Sequence, residues 1–269
     1  MRIQIIFNLS GKRQLLPFNY QYALSSWIYG VLAKSDEEFT NFLHSEGYRL
    51  ETGKSFKLFS FSRLNFPKNT WKAIPKSDRM EVFARKAFLN VAFHLPETAQ
   101  HFILGLFKEQ NAIIGDKISK TEMKVGTVEV VKLPEINDGC IKLQTLSPLV
   151  ITKTSDKKKY EDYISPLQDD YERLFVKNII DKYSVACLFA GDENKKFTAK
   201  DVTFKCLTEK PGSVLQRIKA YTPEETQVRG YMFDFKLEAP KEIIEVGLNA
   251  GFGAMSSLGF GFCEMMKGE

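Results

Sequence analysis

The sequence predicts an α+β protein made of two tandem ferredoxin-like domains. Strand and helix patterns run in the order β-α-β-β-α-β twice along the chain, the split arrangement of that fold. A turn cluster, Pro134-Glu-Ile-Asn-Asp-Gly139, separates the two runs and lies between apolar strand patterns. A length of 269 residues suits two domains, at ~100–200 residues each. The expected boundary falls after residue 136, giving domains 1–136 and 137–269. Apolar residues make up 43% and charged residues 26% of the chain, a balance that supports a buried core and excludes a disordered protein.

In the first half, Met1-Arg-Ile-Gln-Ile-Ile-Phe7 alternates as a strand over 2–9 and lacks the pattern of a signal peptide. Pro17 and Asn19 open a helix to about Ala33, with Leu24, Trp27, Ile28, Val31 and Leu32 at helical spacing. A short helix follows, with Ser35 as its expected N-cap, Glu38 completing a capping box and Gly47 stopping it. Residues 56–66 read as extended, and a basic loop with Pro67 and Pro75 leads to a strand at 85–94. Pro96 starts a helix to about Gln110, with Ala99, Phe102, Ile103, Leu106 and Phe107 on its apolar face. Two extended segments fill 111–133.

The second half repeats that order. A strand at 140–151 precedes a helix at about 160–181. Extended runs at 196–207, 214–221 and 227–237 lead to a Pro240-initiated helix ending near Leu248, and a strand closes the chain at 258–266. No apolar run reaches the ~18 residues of a spanning helix, so a soluble cytoplasmic protein is expected. Cys140, Cys187, Cys206 and Cys263 form no Cys-x-x-Cys pair and read as buried free thiols.

Charge is unevenly placed. The net charge is +5, yet residues 1–135 hold 19 basic against 13 acidic residues, and the remainder 19 against 20. Residues 53–86 carry Lys54, Lys57, Arg63, Lys68, Lys72, Lys76, Arg79, Arg85 and Lys86, opposed only by Asp78 and Glu81. Phe56, Phe59, Phe61, Phe66, Trp71 and Phe83 are interleaved with them. Cations beside flat rings suit a phosphate backbone with unstacked bases. The competing reading is a solvated basic loop.

Two nucleotide motifs fail. Thr52-Gly53-Lys54-Ser55 lacks the glycine five positions upstream, where Tyr48 stands, and leads into a strand pattern rather than a helix. Gly251-Phe-Gly253-Ala-Met-Ser-Ser-Leu-Gly259-Phe-Gly261 has Ser256 where a dinucleotide fingerprint needs glycine, and too little chain follows for a βαβ unit. Gly259-Phe-Gly261-Phe262 matches only half of the RNA-recognition-motif octamer, with Leu258 and Met265 at its ends. Four glycines there let backbone N–H groups meet an anion, or else make a tight helix-to-strand turn.

His44 lies off the Phe39/Phe42/Leu43 stripe of its short helix, in the last turn, where the helix dipole favours an imidazolium. Histidine is the side chain suited to proton transfer near neutrality; an inert surface histidine is the alternative. His94 and His101 have no evident partner. Tyr29 sits one step around from the Leu24/Ile28/Leu32 stripe, a half-buried edge position. Lys57 heads an extended segment.

Gly-hydrophobic-Gly, five residues, then Gly-hydrophobic-Gly at the end of two ferredoxin-like (RRM-like) units resembles the glycine-rich loop of the RAMP superfamily. The likeness is strongest to its repeat-cleaving branch, the CRISPR-associated endoribonucleases. Leu16-Pro-Phe-Asn-Tyr-Gln-Tyr-Ala-Leu-Ser-Ser-Trp-Ile-Tyr29 is similar to that family's first-helix signature. Phe39-Thr-Asn-Phe-Leu-His44-Ser-Glu-Gly47 is similar to its histidine-bearing helix, and Lys57-Leu-Phe-Ser-Phe-Ser62 to the strand that follows.

The resemblance implies a cleavage of CRISPR repeat RNA in a precursor transcript, without metal or cofactor. The substrate's 2′-OH would attack the adjacent phosphate, leaving a 2′,3′-cyclic phosphate and a 5′-OH. It also implies a catalytic set of Tyr29, His44 and Lys57, with Lys54 an alternative for the lysine. His44 would be the main acid–base residue, Tyr29 would orient or deprotonate the 2′-OH, and Lys57 would stabilise the pentacoordinate phosphate. Gly251, Gly253, Gly259 and Gly261, with Lys54, Arg63, Lys68 and Lys72, would hold the RNA. The expected partner is repeat RNA, with an effector complex and a homodimer as further possibilities and no membrane. Two rival readings are a non-catalytic RNA-binding subunit of such a complex and a small-molecule enzyme with an anion-binding glycine loop.

Overall fold

The computed structural model describes residues 1–51, 53–136, 139–154, 162–191 and 196–266. In the first half, Ile3, Ile5 and Phe7 alternate inward from the strand Arg2–Asn8, which therefore takes the centre of an antiparallel sheet. Its strand order is Phe59–Phe61, Lys86–Phe93, Arg2–Asn8, Lys120–Val130, Asn111–Gly115. Helices α1 (Gln21–Ser35), α2 (Glu37–Ser45) and α3 (Pro96–Lys108) belong to this half, and α1 packs on both α2 and α3. Helices α4 (Tyr171–Ala190) and α5 (Lys241–Ala250) belong to the second half. Its four-stranded sheet runs Thr203–Cys206, Asp234–Glu238, Cys140–Thr145, Cys263–Met265. Counting only the strands of the repeated motif, both sheets read second-third-first-fourth. Tandem ferredoxin-like folding is therefore written in the topology as well as in the element order.

Several boundaries differ from the sequence reading. Asp36, not Ser35, caps α2: its carboxylate accepts from Phe39 N at 2.9 Å. Ser35 instead closes α1, its Oγ 3.2 Å from His101 Nδ1. Phe107 of α3 is 77% exposed, because Gly105 and Leu106 take the inward positions. Helix α4 begins at Tyr171, not near 160: Pro166 cannot donate to a helix, and residues 165–170 form turns before it. The extended run expected over 56–66 breaks at Leu58, whose φ is +52°. Leu258 lies in a 3-10 turn, and the last strand is only Cys263–Met265. Of the four thiols Cys263 alone is buried, and Cys140 is exposed. The expected boundary abuts residues 137–138, which lie outside the described residues. Among the described residues no helix is long and apolar enough to cross a membrane.

One apolar core runs through both halves, and polar ties reinforce the seam. Arg2 is buried, donates to the carbonyls of Leu248 (Nε, 3.1 Å) and Cys263 (2.6 Å), and lies 4.4 Å over the Phe262 ring. The hairpin of Gly212–Ile218 with Thr226–Met232 reaches back to the first half. There Arg217 Nη2 donates to Asp78 at 2.8 Å, as does the Tyr221 hydroxyl at 2.5 Å.

His94 directly follows the core strand Lys86–Phe93, with its Nδ1 buried and unpartnered. Burial, aided by the nearby terminal ammonium, pushes its pKa down to about 4. The unfolded chain takes up a proton near pH 6.5 that the folded chain refuses until about pH 4, so stability falls as pH drops through that window. Urea unfolding at pH 5 should give about 2 kcal/mol less stability from this group than at pH 7. His94→Asn should remove that increment; an equal pH slope in the variant would refute the account.

Candidate active site

Three elements of the first half converge on one surface. Helix α1 presents Tyr29, the last turn of α2 presents His44, and the chain entering Phe59–Phe61 presents Lys57. The α2 end is set locally, as Glu46 and Gly47 both donate to Phe42 O, at 2.9 and 2.8 Å. Gly47 also leaves room for the lysine: a Cβ there would stand 2.8 Å from Lys57 Nζ. The turned backbone at Leu58 then sends Phe59 into the core.

The Tyr29 and His44 rings lie 5.1 Å apart, edge to face at 83°, and Phe59 supports Tyr29 at 5.6 Å. Lys57 Nζ donates to the His44 carbonyl at 2.9 Å, which leaves the exposed imidazole uncommitted to the lysine and two ammonium N–H groups for an anion. Burial chiefly, and Arg49 next, pull the Lys57 pKa below its ordinary value, against Glu46. Burial pushes the Tyr29 phenol up to about 12 despite a hydrogen bond with Ser257. At neutral pH it is therefore a hydrogen-bonding phenol, not a base.

Lys54, the alternative lysine, is turned elsewhere. Its Nζ bonds Asp181 of α4 at 2.9 Å and lies 5.2 Å from the Phe56 ring. The nine cations of 53–86 do not form one free stripe. Arg79 is buried and forks onto Asp116 at 2.8 and 3.1 Å, and Lys72 pairs with Glu81 at 2.9 Å. Lys68 is exposed, and Arg63 is half-buried with its Nε unpartnered.

Gly251, Gly253, Gly259 and Gly261 are all buried, wedged in the seam rather than lining open surface. Gly251 backs onto Ser60, and Gly259 onto Phe61 and Gln21. Ser25 of α1 donates to Ser257 O at 2.7 Å, so this loop touches the helix that carries Tyr29. Lys182 of α4, only 1% exposed, clamps the loop by donating to the carbonyls of Gly251 and of Gly253, the latter at 2.9 Å. Burial, then Lys54, holds its pKa down to about 7. Sequence reading missed Lys182, although Phe175, Ile179, Lys182 and Ala186 share one helical stripe, and a cation on such a stripe signals a buried polar contact. Among the described residues no group of three or more His, Cys, Asp or Glu could hold a metal ion.

Two family models match the chain, "CRISPR-associated protein Cas6, N-terminal" over residues 15–129 and "CRISPR associated protein Cas6, C-terminal" over 131–265. The chain is 25% identical over 250 residues to the CRISPR-associated endoribonuclease Cas6 of Pyrococcus furiosus, covering 93% of this chain and 83% of the relative. It is equally 25% identical over 250 residues to CRISPR-associated endoribonuclease Cas6 1 of Methanocaldococcus jannaschii, covering 92% and 86%. A solved chain from a Cas6-related gene of Pyrococcus furiosus superposes with a TM-score of 0.78 at 23% identity, covering 100% of this chain and 99% of that one. The two matched models together span nearly all of both halves, and the chain belongs to the Cas6 family of CRISPR-associated proteins.

Proposed function

We propose that this protein is a metal-independent endoribonuclease that cuts CRISPR repeat RNA in a precursor transcript, releasing guide units in the cytoplasm for an effector complex. The convergence of Tyr29, His44 and Lys57 carries the reading, in a chain whose curated relatives are named endoribonucleases. In the reaction the 2′-oxygen forms a bond to phosphorus and the bond from phosphorus to the 5′-oxygen breaks. One proton leaves the 2′-OH and one arrives at the departing oxygen, both through His44. Tyr29, kept neutral by burial, orients the 2′-OH as a hydrogen-bonding partner. Lys57 offers its remaining N–H groups to the pentacoordinate phosphate. Residues 1–136 supply this chemistry and 137–269 the glycine-rich loop. The partly exposed Ala254, Met255, Ser257 and Leu258 of that loop, with Arg63, Lys68 and Lys72, hold the strand, the buried glycines shaping the turn behind them, and Lys54 contributes from its place beside Asp181.

The test is incubation of purified protein in EDTA with end-labelled RNA spanning the host's repeat. One sharp cut is expected, with mass spectrometry finding a 2′,3′-cyclic phosphate and a 5′-OH. Tight binding without a cut would replace this reading by the non-catalytic subunit.

A further inference from the structure

A cavity of about 450 Å³ opens between the halves, away from the His44 cluster. That volume is within the ~300–1,000 Å³ range of small-ligand sites. Its wall is aromatic: Phe18 is 38% and Trp71 43% exposed, and Phe66 lies behind them. Two partly exposed aromatics at one cavity offer flat faces on which a planar ligand can stack. The second-half hairpin closes the other side with Leu215.

Two buried polar atoms belong to lining residues and have no protein partner. Gln21 is 3% exposed and its Oε1 accepts from nothing; Arg63 Nε donates to nothing. Both atoms are closed to solvent as the side chains stand, and each carries a desolvation penalty that is relieved when its side chain turns to meet a ligand in the cavity. The pair complements the adjacent donor and acceptor on the edge of a nucleobase, while the rings and the guanidinium offer stacking faces. Continuity places the cavity on the RNA path. Gln21 touches Gly259 of the glycine-rich loop, and it lies eight residues before Tyr29 on α1, an axial rise of about 12 Å.

We infer that this interdomain cavity receives one unstacked nucleobase of the bound RNA, stacked on Trp71 and held at its edge by Gln21 and Arg63. The inference rests on the proposed RNA substrate, but it concerns recognition and not cutting.

Binding is measured in EDTA with the protein carrying His44→Ala, so that no cleavage confuses the readout, and with the host's repeat RNA as probe. Stacking on an aromatic is worth ~1–3 kcal/mol per base, so Trp71→Ala should weaken binding about 5- to 150-fold. Gln21→Met, of similar shape, should weaken it about 10-fold, as loss of one buried hydrogen bond predicts. RNAs with a single abasic position are then scanned. At one position the abasic RNA should bind as weakly as the intact RNA binds the Trp71→Ala protein, and combining the two should add no further loss. Strictly additive losses at every position, or Trp71→Ala binding within twofold, would overturn the cavity assignment and leave the substrate reading standing. Absence of any binding by the Trp71 protein would remove the substrate reading, and this inference with it.

Discussion

His44→Ala should abolish the proposed cutting of repeat RNA, with the single-turnover rate expected to fall by ~10²–10⁴-fold, the usual contribution of a positioned acid–base group. RNA affinity should stay within a few-fold. The separation follows from geometry: the imidazole is exposed at the end of α2, and the neighbouring lysine bonds the backbone carbonyl rather than the ring. Alanine keeps that carbonyl, so Lys57 remains anchored and the binding surface is preserved. The Tyr29 ring loses one edge contact but keeps Phe59 and Ser257. Single-turnover cleavage and filter binding on the same preparations check both halves of the expectation. Full activity in the variant would move the acid–base role to another group.

Gly261→Ala should be the most damaging single-methyl change in the glycine-rich loop. Gly261 has φ +68°, and a Cβ would stand 1.8 Å from the Phe252 carbonyl oxygen. The clash is with backbone, which cannot swing aside as a side-chain tip can. Gly261 also donates to Pro148 O at 2.8 Å, and its carbonyl accepts from Phe252 N at 2.8 Å. Any shift breaks the bridge between the two arms of the loop. Left-handed strain of ~1–3 kcal/mol and overpacking of similar size together give about 3–5 kcal/mol, a large part of a typical ~5–15 kcal/mol of stability. Gly53→Ala is the control, since Gly53 has φ +84° but nothing within 4 Å of a built Cβ. Urea unfolding should show about 1 kcal/mol for the control, the strain alone. Equal losses at the two positions would defeat the packing explanation.

Period and punctuation made most of the fold legible. Alternation at Ile3, Ile5 and Phe7 and helical spacing from Leu24 to Leu32 are local patterns, and both elements formed where those patterns lie. Failure came where one local signal masked another. The apolar spacing through Tyr163, Ile164, Leu167 and Tyr171 continues a helical period backwards across Pro166, and the proline wins. At the site, the helix dipole and exposure of His44 could be read from α2 alone. Tyr29 and Lys57 came from family likeness, and only the fold brings them beside it. The glycines looked open to a ligand because the sequence hides their neighbours. Ser60, Phe61 and Gln21 lie about two hundred residues away and fill the space. Orphaned groups such as Gln21 Oε1 are likewise a property of the assembled seam, invisible in any window of sequence.

A duplicated fold invites treatment of its halves as interchangeable modules. Here the modular boundary cuts through the proposed active surface. Tyr29 of the first half is fixed by Ser257 of the second, and the loop's inner side is moulded on Ser60, Phe61 and Gln21. A graft of a relative's second half would press a foreign loop against those three side chains and tether the tyrosine differently. The two sides of the seam are therefore to be altered together, and an exchange of either half should carry its matching side chains with it.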